Sequence, residues 1–274
     1  MAPRTDSLLP RRAGRSPWTW AVAGALLGLA GTVIWQAPAI WLASALDRVT
    51  AGRVVLAEAR GTAWTGSARL MFSGGAGSRD ASALPGRVAW RIRPGRQGLS
   101  LQLEADCCTR QPMALTLTPH WGGAQLVVED STSTPTQPTT WPADLLTGLG
   151  APWNTLQVEG QLHLKTQGLS VEWTQGRIAV AGSAELTAMG MSSRLSTLRP
   201  MGSYRLTLQG GNPTTLELAT VEGSLQLAGT GRWVGGRLRF EGVASAAPER
   251  EAALSNLLNI IGRRNGARSI ITVG

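Results

Sequence analysis

The sequence holds very few of the residues on which catalytic and metal chemistry usually depends. Its 274 residues include two His, two Cys, one Tyr and one Lys, and charged residues make up only 16% of the chain. Two cysteines are too few for a disulfide scaffold, and a hydrophobic content of 43% is too high for a disordered chain. We therefore expect a folded protein that carries out no catalysis of its own.

Motifs for enzyme, cofactor and metal sites are also missing from the sequence. There is no His-x-x-x-His or Cys-x-x-Cys spacing, no Gly-x-Ser-x-Gly elbow and no phosphate-binding Gly-Lys-Ser/Thr loop. Glu159 and Glu172 could be named as the paired carboxylates of a glycosidase, but so could any two acidic residues of the chain. The sequence predicts no catalytic residue, no metal ligand and no cofactor.

Positive charge is diffuse rather than clustered. The formal net charge is +9, of which residues 1–17 contribute +3 through four Arg and one Asp. The other 257 residues carry the remaining +6, and their arginines form no run of five. Nucleic-acid binding needs basic residues clustered on one surface and interleaved with aromatics, so we expect no nucleic-acid partner.

A long uncharged stretch follows the basic segment. No residue between Ser16 and Ala45 is charged, and Trp18–Trp35 is an apolar run of 18 residues, close to the ~20 that span a bilayer as a helix. Tryptophans at both ends match the interfaces where indole rings settle, and the arginines before the span predict a cytoplasmic N-terminus. The predicted organisation is a cytoplasmic tail over 1–17, a transmembrane anchor over 18–46 and a domain beyond the membrane over 47–274. The residues assigned to the anchor are Trp18, Trp20, Leu26, Leu27, Val33, Ile34 and Trp35.

A cleaved signal peptide is the alternative to a retained anchor. The sequence Ala43-Ser44-Ala45 fits a small-residue cleavage site. The apolar run, however, is longer than the 7–15 residues of a usual signal peptide. Both alternatives export the residues that follow.

Beyond the anchor, apolar and polar residues alternate with a period of two. The runs with this alternation are Trp64–Phe72, Val88–Ile92, Leu99–Leu103, Met113–Leu117, Leu156–Leu164, the leucine pairs at 206/208, 216/218 and 225/227, and Leu238 with Phe240. Strands that recur every 8–15 residues, with Gly, Pro, Asn or Ser between them, are typical of an antiparallel meander with one apolar and one polar face. The predicted fold is mainly β, a curved sheet or a sandwich behind one transmembrane helix.

Two helices interrupt the strand pattern. Trp141–Leu149 has Pro near its start and Gly at its end, as a short helix prefers. Glu249–Ile261 carries leucines at helical spacing, and a last strand is predicted over Arg268–Val273. We expect Arg263 and Arg264 to stabilise the second helix, because their positive charges lie at the negative C-terminal end of its dipole.

A stretch rich in Ser, Thr and Pro lies near the middle of the exported part. It covers residues 131–140 and is typical of a linker or surface loop. The domain therefore has two possible halves, 47–130 and 141–274.

Two features leave alternatives open. Cys107 and Cys108 are either two small residues at a strand end, or partners in a strained bond between neighbours, or members of an intermolecular bridge. The seven tryptophans beyond the anchor are either core residues or an exposed aromatic row for a partner or a lipid.

Several short motifs follow one another in a fixed order along the chain. They are an Arg-led span, Gly61-Thr62-Ala63-Trp64-Thr65-Gly66-Ser67-Ala68, Gly86-Arg87-Val88-Ala89-Trp90, Leu149-Gly150-Ala151-Pro152 ahead of Gly160-Gln161-Leu162-His163-Leu164, and residues 236–244 ahead of a helix that ends in Ile261-Gly262-Arg263-Arg264. This order resembles the general secretion pathway protein N family, component N of the bacterial type II secretion system, over most of 15–274. The matched positions, to which we assign structural roles, are Gly61, Thr62, Trp64, Gly66, Trp90, Gly160, Gly242, Leu257, Leu258 and Gly262.

The resemblance implies an accessory component of the machine that exports folded proteins across the outer membrane. Such a protein is a single-pass inner-membrane protein with a cytoplasmic N-terminus and a periplasmic β-domain. Its expected partners are the inner-membrane lipid bilayer and other secretion components of the inner membrane or the secretin, and exposed strand edges would suit such docking. The alternative function is a periplasmic β-groove for a lipid or another hydrophobic ligand, which would require an apolar sheet face without a cover.

The retained-anchor prediction is tested by the size of the exported protein. A C-terminally tagged chain is expected to keep its full length on an immunoblot of membrane fractions, because the apolar run is too long for a usual signal peptide. A mature species that starts near Leu46 would contradict the anchor and support cleavage after Ala45.

Overall fold

A computed structural model describes residues 18–75, 77–78, 80–109, 111–130, 139–234 and 237–274. The chain divides into two compact units, with the boundary between Ala37 and Pro38. The predicted basic tail over 1–17 and most of the predicted linker over 131–140 lie outside the described residues.

The described part of the first unit is a single helix. Helix α1 covers Trp18–Trp35, and none of its residues is buried. Its 18 residues have a mean hydropathy of 1.5, which makes it the one helix within the described residues that is long and apolar enough to cross a membrane. All seven residues assigned to the anchor belong to this helix and are exposed.

The second unit is mainly β. Its described strands are β1 (Val54–Gly61), β2 (Thr65–Ser73), β3 (Ala81–Ala83), β4 (Val88–Gly95), β5 (Gly98–Ala105), β6 (Met113–His120), β7 (Gly123–Val128), β8 (Thr140–Pro142), β9 (Val158–Thr174), β10 (Arg177–Ser193), β11 (Gly202–Gln209), β12 (Thr215–Gly223), β13 (Leu225–Val234), β14 (Arg237–Ala246), β15 (Arg263–Asn265) and β16 (Arg268–Val273). Its helices are α2 (Ala39–Val49), α3 (Trp153–Leu156), α4 (Glu251–Ile261) and two 3-10 helices, Ala143–Leu149 and Pro248–Arg250.

All sixteen strands belong to one open antiparallel sheet, which confirms the predicted β fold and selects a single sheet over a sandwich. The order across the sheet is β1-β2-β4-β5-β6-β7-β9-β10-β11-β12-β13-β14-β16-β15, while β3 pairs with β2 and β8 pairs with β9. Nearly every strand therefore pairs with its neighbours in sequence, joined by hairpins. Because β7 pairs with β9, the sheet continues from the residues before the predicted linker to those after it.

Residues 39–46 belong to a separate helix of the second unit, whereas the sequence extends the anchor to residue 46. Helix α1 ends at Trp35, and Pro38 has an extended backbone, with φ −64° and ψ 146°. Proline lacks the backbone N–H that a helix interior needs, so the helix breaks before it. Ala39 and Ala43 of α2 are then buried in the second unit.

Three short helical segments cover one face of the sheet, which we call the inner face. Helix α2 packs through Ala39 and Leu42 against Trp90, and the 3-10 helix Ala143–Leu149 packs through Leu145 against Val88. Val88 and Trp90 are two residues apart on β4, so their side chains share this face. The same 3-10 helix also contributes to the cluster in which α4 is buried, which brings α4 to the same face.

Both predicted helices exist, with boundaries that differ from the prediction. Trp141 and Pro142 belong to the short strand β8, and the helix that follows is of the 3-10 type. Arg263 and Arg264 form strand β15 instead of ending α4, because Gly262 has an extended backbone. The Arg264 guanidinium reaches back to the first turn of α4, where it contacts the Glu251 carboxylate at 2.6 Å.

Helix α4 closes the largest core cluster. Leu254, Leu257 and Leu258 are almost fully buried, and they pack with Leu225, Ala244 and other residues of the central strands. The Ser269 hydroxyl donates a hydrogen bond to the Leu258 carbonyl at 2.5 Å. The Tyr204 hydroxyl donates to the Leu225 carbonyl at 3.1 Å, and burial raises the pKa of Tyr204 well above its ordinary value.

Replacing one leucine of α4 tests this packing. We expect Leu258→Ala to lower the free energy of unfolding by about 3 kcal/mol, because it leaves a cavity in the core. Ile260→Ala, two residues away and 42% exposed, is the control and should cost less than about 1 kcal/mol. Urea unfolding of the detergent-purified protein, followed by circular dichroism, measures both, and equal losses would refute the described packing.

Candidate docking surface

The first group of matched positions meets at the turn between β1 and β2. The Trp90 ring lies against this turn and is 4% exposed, and its Nε1 donates a hydrogen bond to the Ala63 carbonyl at 3.1 Å. The Thr62 backbone N–H donates to the Thr65 carbonyl at 2.8 Å, and the Thr62 hydroxyl accepts from the Thr65 N–H at 3.0 Å. The Ile92 N–H donates to the Trp64 carbonyl at 2.6 Å. We call this group the entry turn.

Two glycines of the entry turn are required by close approach. A Cβ on Gly66 would lie 2.5 Å from the Trp90 ring and 2.6 Å from the Arg60 carbonyl oxygen. Gly61 has φ +87°, and a Cβ there would lie 2.5 Å from the Thr65 carbonyl oxygen. Any larger residue would therefore push the Trp90 ring or the backbone aside.

The entry turn also receives the chain that leads into the second unit. Pro38 forms an isolated antiparallel bridge with Thr62. Helix α2 begins at the next residue and packs along β1, with Ala39 1% exposed. These positions therefore lie where the polypeptide enters the sheet.

The second group of matched positions lies on α4 and on the half of the sheet from β9 to β16. Leu257 and Leu258 are core residues of α4, and a Cβ on Gly262 would lie 2.5 Å from the Ile270 carbonyl oxygen. Gly242 of β14 is packed against the Phe240 ring, and Gly160 of β9 lies against the Met191 sulfur. The structure thus separates the ten matched positions into two packing sites, the entry turn and this half of the sheet with α4.

The polar side chains that the sequence singles out do not converge on a reaction centre. His120 Nε2 lies 3.7 Å from a Glu172 oxygen on the surface, and His163 Nδ1 lies 3.3 Å from the Thr140 hydroxyl. Within the described ranges, no group of three or more His, Cys, Asp or Glu residues could hold a metal ion. Glu159, the partner suggested for Glu172, contacts Arg194 and Arg199 at 3.6 Å instead.

Of the alternatives open for the two cysteines, the structure has the bond between neighbours. Cys107 and Cys108 form a disulfide in the turn after β5. Cys108 is buried in the cluster that contains Val88, Ala105 and Leu145. This disulfide belongs to the packing beneath the 3-10 helix Ala143–Leu149.

Both edges of the sheet are poorly suited to accept a further strand. On β1, the Thr50 hydroxyl bonds to both the N–H and the carbonyl of Val54, and an Arg87 nitrogen donates to the Glu58 carbonyl at 2.8 Å. Glu58 has φ +51°, where the pairing of β1 with β2 is irregular. The other edge strand, β15, has only three residues. Short, irregular edges are the usual protection against strand addition.

Within the described residues, part of the inner face between α2 and α4 belongs to no core cluster. The cross-strand pairs Leu99–Leu117, Leu115–Val128, Leu117–Leu126 and Leu126–Val171 continue the inner face from β5 to β9. All six residues are half-buried, and none belongs to a core cluster of the described part. We call them the open patch, which consists of Leu99, Leu115, Leu117, Leu126, Val128 and Val171.

The tryptophans beyond the anchor divide between the core and the surface. Trp90 is buried, while Trp64, Trp141 and Trp233 are half-buried. Trp121, Trp153 and Trp173 are exposed. Trp121 lies in the turn between β6 and β7, and Trp173 pairs with Ile178 at the neighbouring hairpin between β9 and β10. Two exposed tryptophans therefore lie beside the open patch.

The entry turn predicts a specific sensitivity to a single added methyl group. We expect Gly66→Ala to lower the free energy of unfolding by about 2 kcal/mol, because the new Cβ would overlap the Trp90 ring. Thr65→Ala, the exposed neighbour, should cost under about 0.5 kcal/mol. Denaturant unfolding of both variants measures the difference, and a neutral Gly66→Ala would refute the close contact.

The comparisons with known proteins agree with the sequence resemblance. A family model described as type II secretion system (T2SS), protein N matches residues 52–271. A search of curated proteins and a search of solved structures each find no match. The matched range begins just before β1 and ends inside β16, so it includes both packing sites and the open patch. The chain therefore belongs to the type II secretion system protein N family.

Proposed function

We propose that this type II secretion component is an accessory, non-enzymatic protein that α1 holds in the inner membrane. In this proposal residues 1–17 are cytoplasmic and the sheet lies in the periplasm, where it docks to other secretion components of the inner membrane or the secretin. The observation that carries the proposal is the order of features along the chain. The family match starts at residue 52, shortly after a helix that can span a bilayer, and covers the sheet.

The charge distribution supports this orientation. Four arginines precede α1, whereas only Arg48 and Arg53 follow it closely. Basic residues near a span favour the cytoplasmic side, so the sheet is on the other side of the membrane. A single-pass anchor of this kind keeps the sheet close to the membrane in which the partners are expected.

We assign the docking role to the open patch, because both edge strands are poorly suited to accept a further strand. Leu117 of β6 and Leu126 of β7 are directly opposite each other in the middle of this patch. Contiguous apolar residues that remain exposed to water mark interaction surfaces in soluble domains. A partner that covered the open patch would complete the core that α2 and α4 leave unfinished.

Photo-crosslinking in cells tests the docking proposal. A photoreactive amino acid at Leu117 faces the open patch, whereas one at the adjacent Thr116 points to the opposite face of the same strand. We expect Leu117, and not Thr116, to form covalent adducts that mass spectrometry identifies as secretion components of the inner membrane or the secretin. Equal adducts at both positions, or none with secretion components, would contradict docking through the open patch.

A hydrophobic ligand is the second candidate, favoured by the same uncovered leucines. In that case the open patch would hold an acyl chain, and no protein would cover it. The Leu117 crosslinker distinguishes the two candidates, because its adduct would then contain lipid, detected by mass spectrometry of the extracted protein. Lipid adducts alone, repeated in several preparations, would replace the docking proposal.

A further inference from the structure

We propose that one rim of the sheet binds the surface of the bilayer that holds α1. The rim consists of the hairpin turns that follow β4, β6 and β9, and we call it the hairpin rim. The strand pairings place these turns at the same end of the strands, opposite the end where β5, β7 and β10 finish. The proposal rests on the membrane tether of the proposed function and adds a second contact with the lipid.

The exposed apolar side chains of the hairpin rim are of the type that enters a membrane interface. Trp121 is wholly exposed at the tip of one hairpin, and Ile178 is 65% exposed on the next. Trp173 pairs with both Ala124 and Ile178, which brings the two hairpins together. A wholly exposed Trp is unusual on a surface that meets only water. Indole rings gain from the boundary between headgroups and acyl chains, because one part of the ring is apolar and the N–H is polar.

The charges of the hairpin rim complement an anionic lipid surface. Arg93, Arg96 and Arg177 are exposed, and none of them has an ion-pair partner within the described residues. The acidic residue in these turns, Glu172, lies beside His120. Exposed arginines near a surface of anionic lipid are attracted to it.

The opposite end of the strands carries acidic and basic residues together. Glu104, Asp106, Glu129 and Asp130 lie at the ends of β5 and β7. Arg87 lies beside Asp106, and Arg194 and Arg199 contact Glu159. The feature that distinguishes the hairpin rim from this end is therefore the wholly exposed Trp121.

The chain enters the sheet at the end of the strands where the hairpin rim lies. The β1–β2 turn is at the same end as the β4–β5 hairpin, since Thr65 pairs with Arg91 and Gly61 with Gly66. Pro38 bridges to Thr62 in this turn.

Site-specific fluorescence in proteoliposomes tests the hairpin rim with the full chain. Cys107 and Cys108 are the only cysteines and form a disulfide, so an added cysteine is the one free thiol under non-reducing conditions. An environment-sensitive NBD label is attached to Trp121→Cys on the hairpin rim, to Glu249→Cys near the opposite end, or to Leu27→Cys in α1. The vesicles contain phosphatidylethanolamine and phosphatidylglycerol, with spin-labelled lipid as the quencher.

We expect the fluorescence emission of the label at 121 to shift to shorter wavelengths, as it does for a group in the membrane interface. We also expect this label to be quenched about threefold more strongly than the label at 249. The double variant Arg96→Glu with Arg177→Glu should at least halve the quenching of the label at 121. Replacing the anionic vesicles by phosphatidylcholine vesicles should lower this quenching by a similar factor. Arg250→Glu, at the opposite end of the strands, should leave it unchanged.

Three outcomes would overturn the inference. If the label at 27 is quenched and the label at 121 behaves like that at 249, the tether stands and the hairpin rim does not bind lipid. If the label at 27 is not quenched, the tether fails and the inference fails with it. If the label at 121 responds only when purified secretion partners are added, the hairpin rim is a protein contact instead.

Discussion

This structure depends on how one apolar face of its sheet is buried, because the described residues contain no second sheet to pack against it. In a sandwich each sheet covers the other, but here short helical segments must supply the cover. Helix α2 covers one end of the inner face, α4 covers the other, and the 3-10 helix Ala143–Leu149 lies between them. These three segments together are too short to cover the inner face of a sheet of sixteen strands, and the residues of the open patch therefore remain only half-buried. The open patch, to which we assign the docking role, is thus a direct result of the architecture.

The same constraint places several matched positions where the helical cover meets the sheet. The Trp90 ring packs in the cluster that contains Ala39 of α2, and Gly66 lies directly against that ring. Gly262 allows the chain to leave α4 and pass close to Ile270. None of the matched positions belongs to the open patch.

Most of the fold could be predicted from the sequence because a period of two is a local signal. The alternation in Val88–Ile92, Leu99–Leu103 and Met113–Leu117 identifies strands β4, β5 and β6, and Arg268–Val273 is strand β16 as predicted. The separate helix α2 was missed because its apolar residues continue the apolar run of the span, and only Pro38 marks the break. The state of the edges could not be predicted, since the Thr50 bonds to Val54 and the Arg87 bond to Glu58 depend on tertiary contacts. The exposure of Trp121 likewise depends on which turns lack a cover.

The sequential order of the strands has a consequence for how the protein acquires its fold. From β4 to β14 each main strand pairs with the one made just before it, apart from the short β8, so few contacts require distant parts of the chain to find each other. Topologies with local contacts fold quickly, because little loop-closure entropy is lost before each pairing forms. A chain that emerges on one side of a membrane from its N-terminus can add hairpins one at a time to a sheet whose first strands are already in place. The growing edge at β14 is then covered only at the last step, when β16 pairs with β14 on one side and with the three residues of β15 on the other.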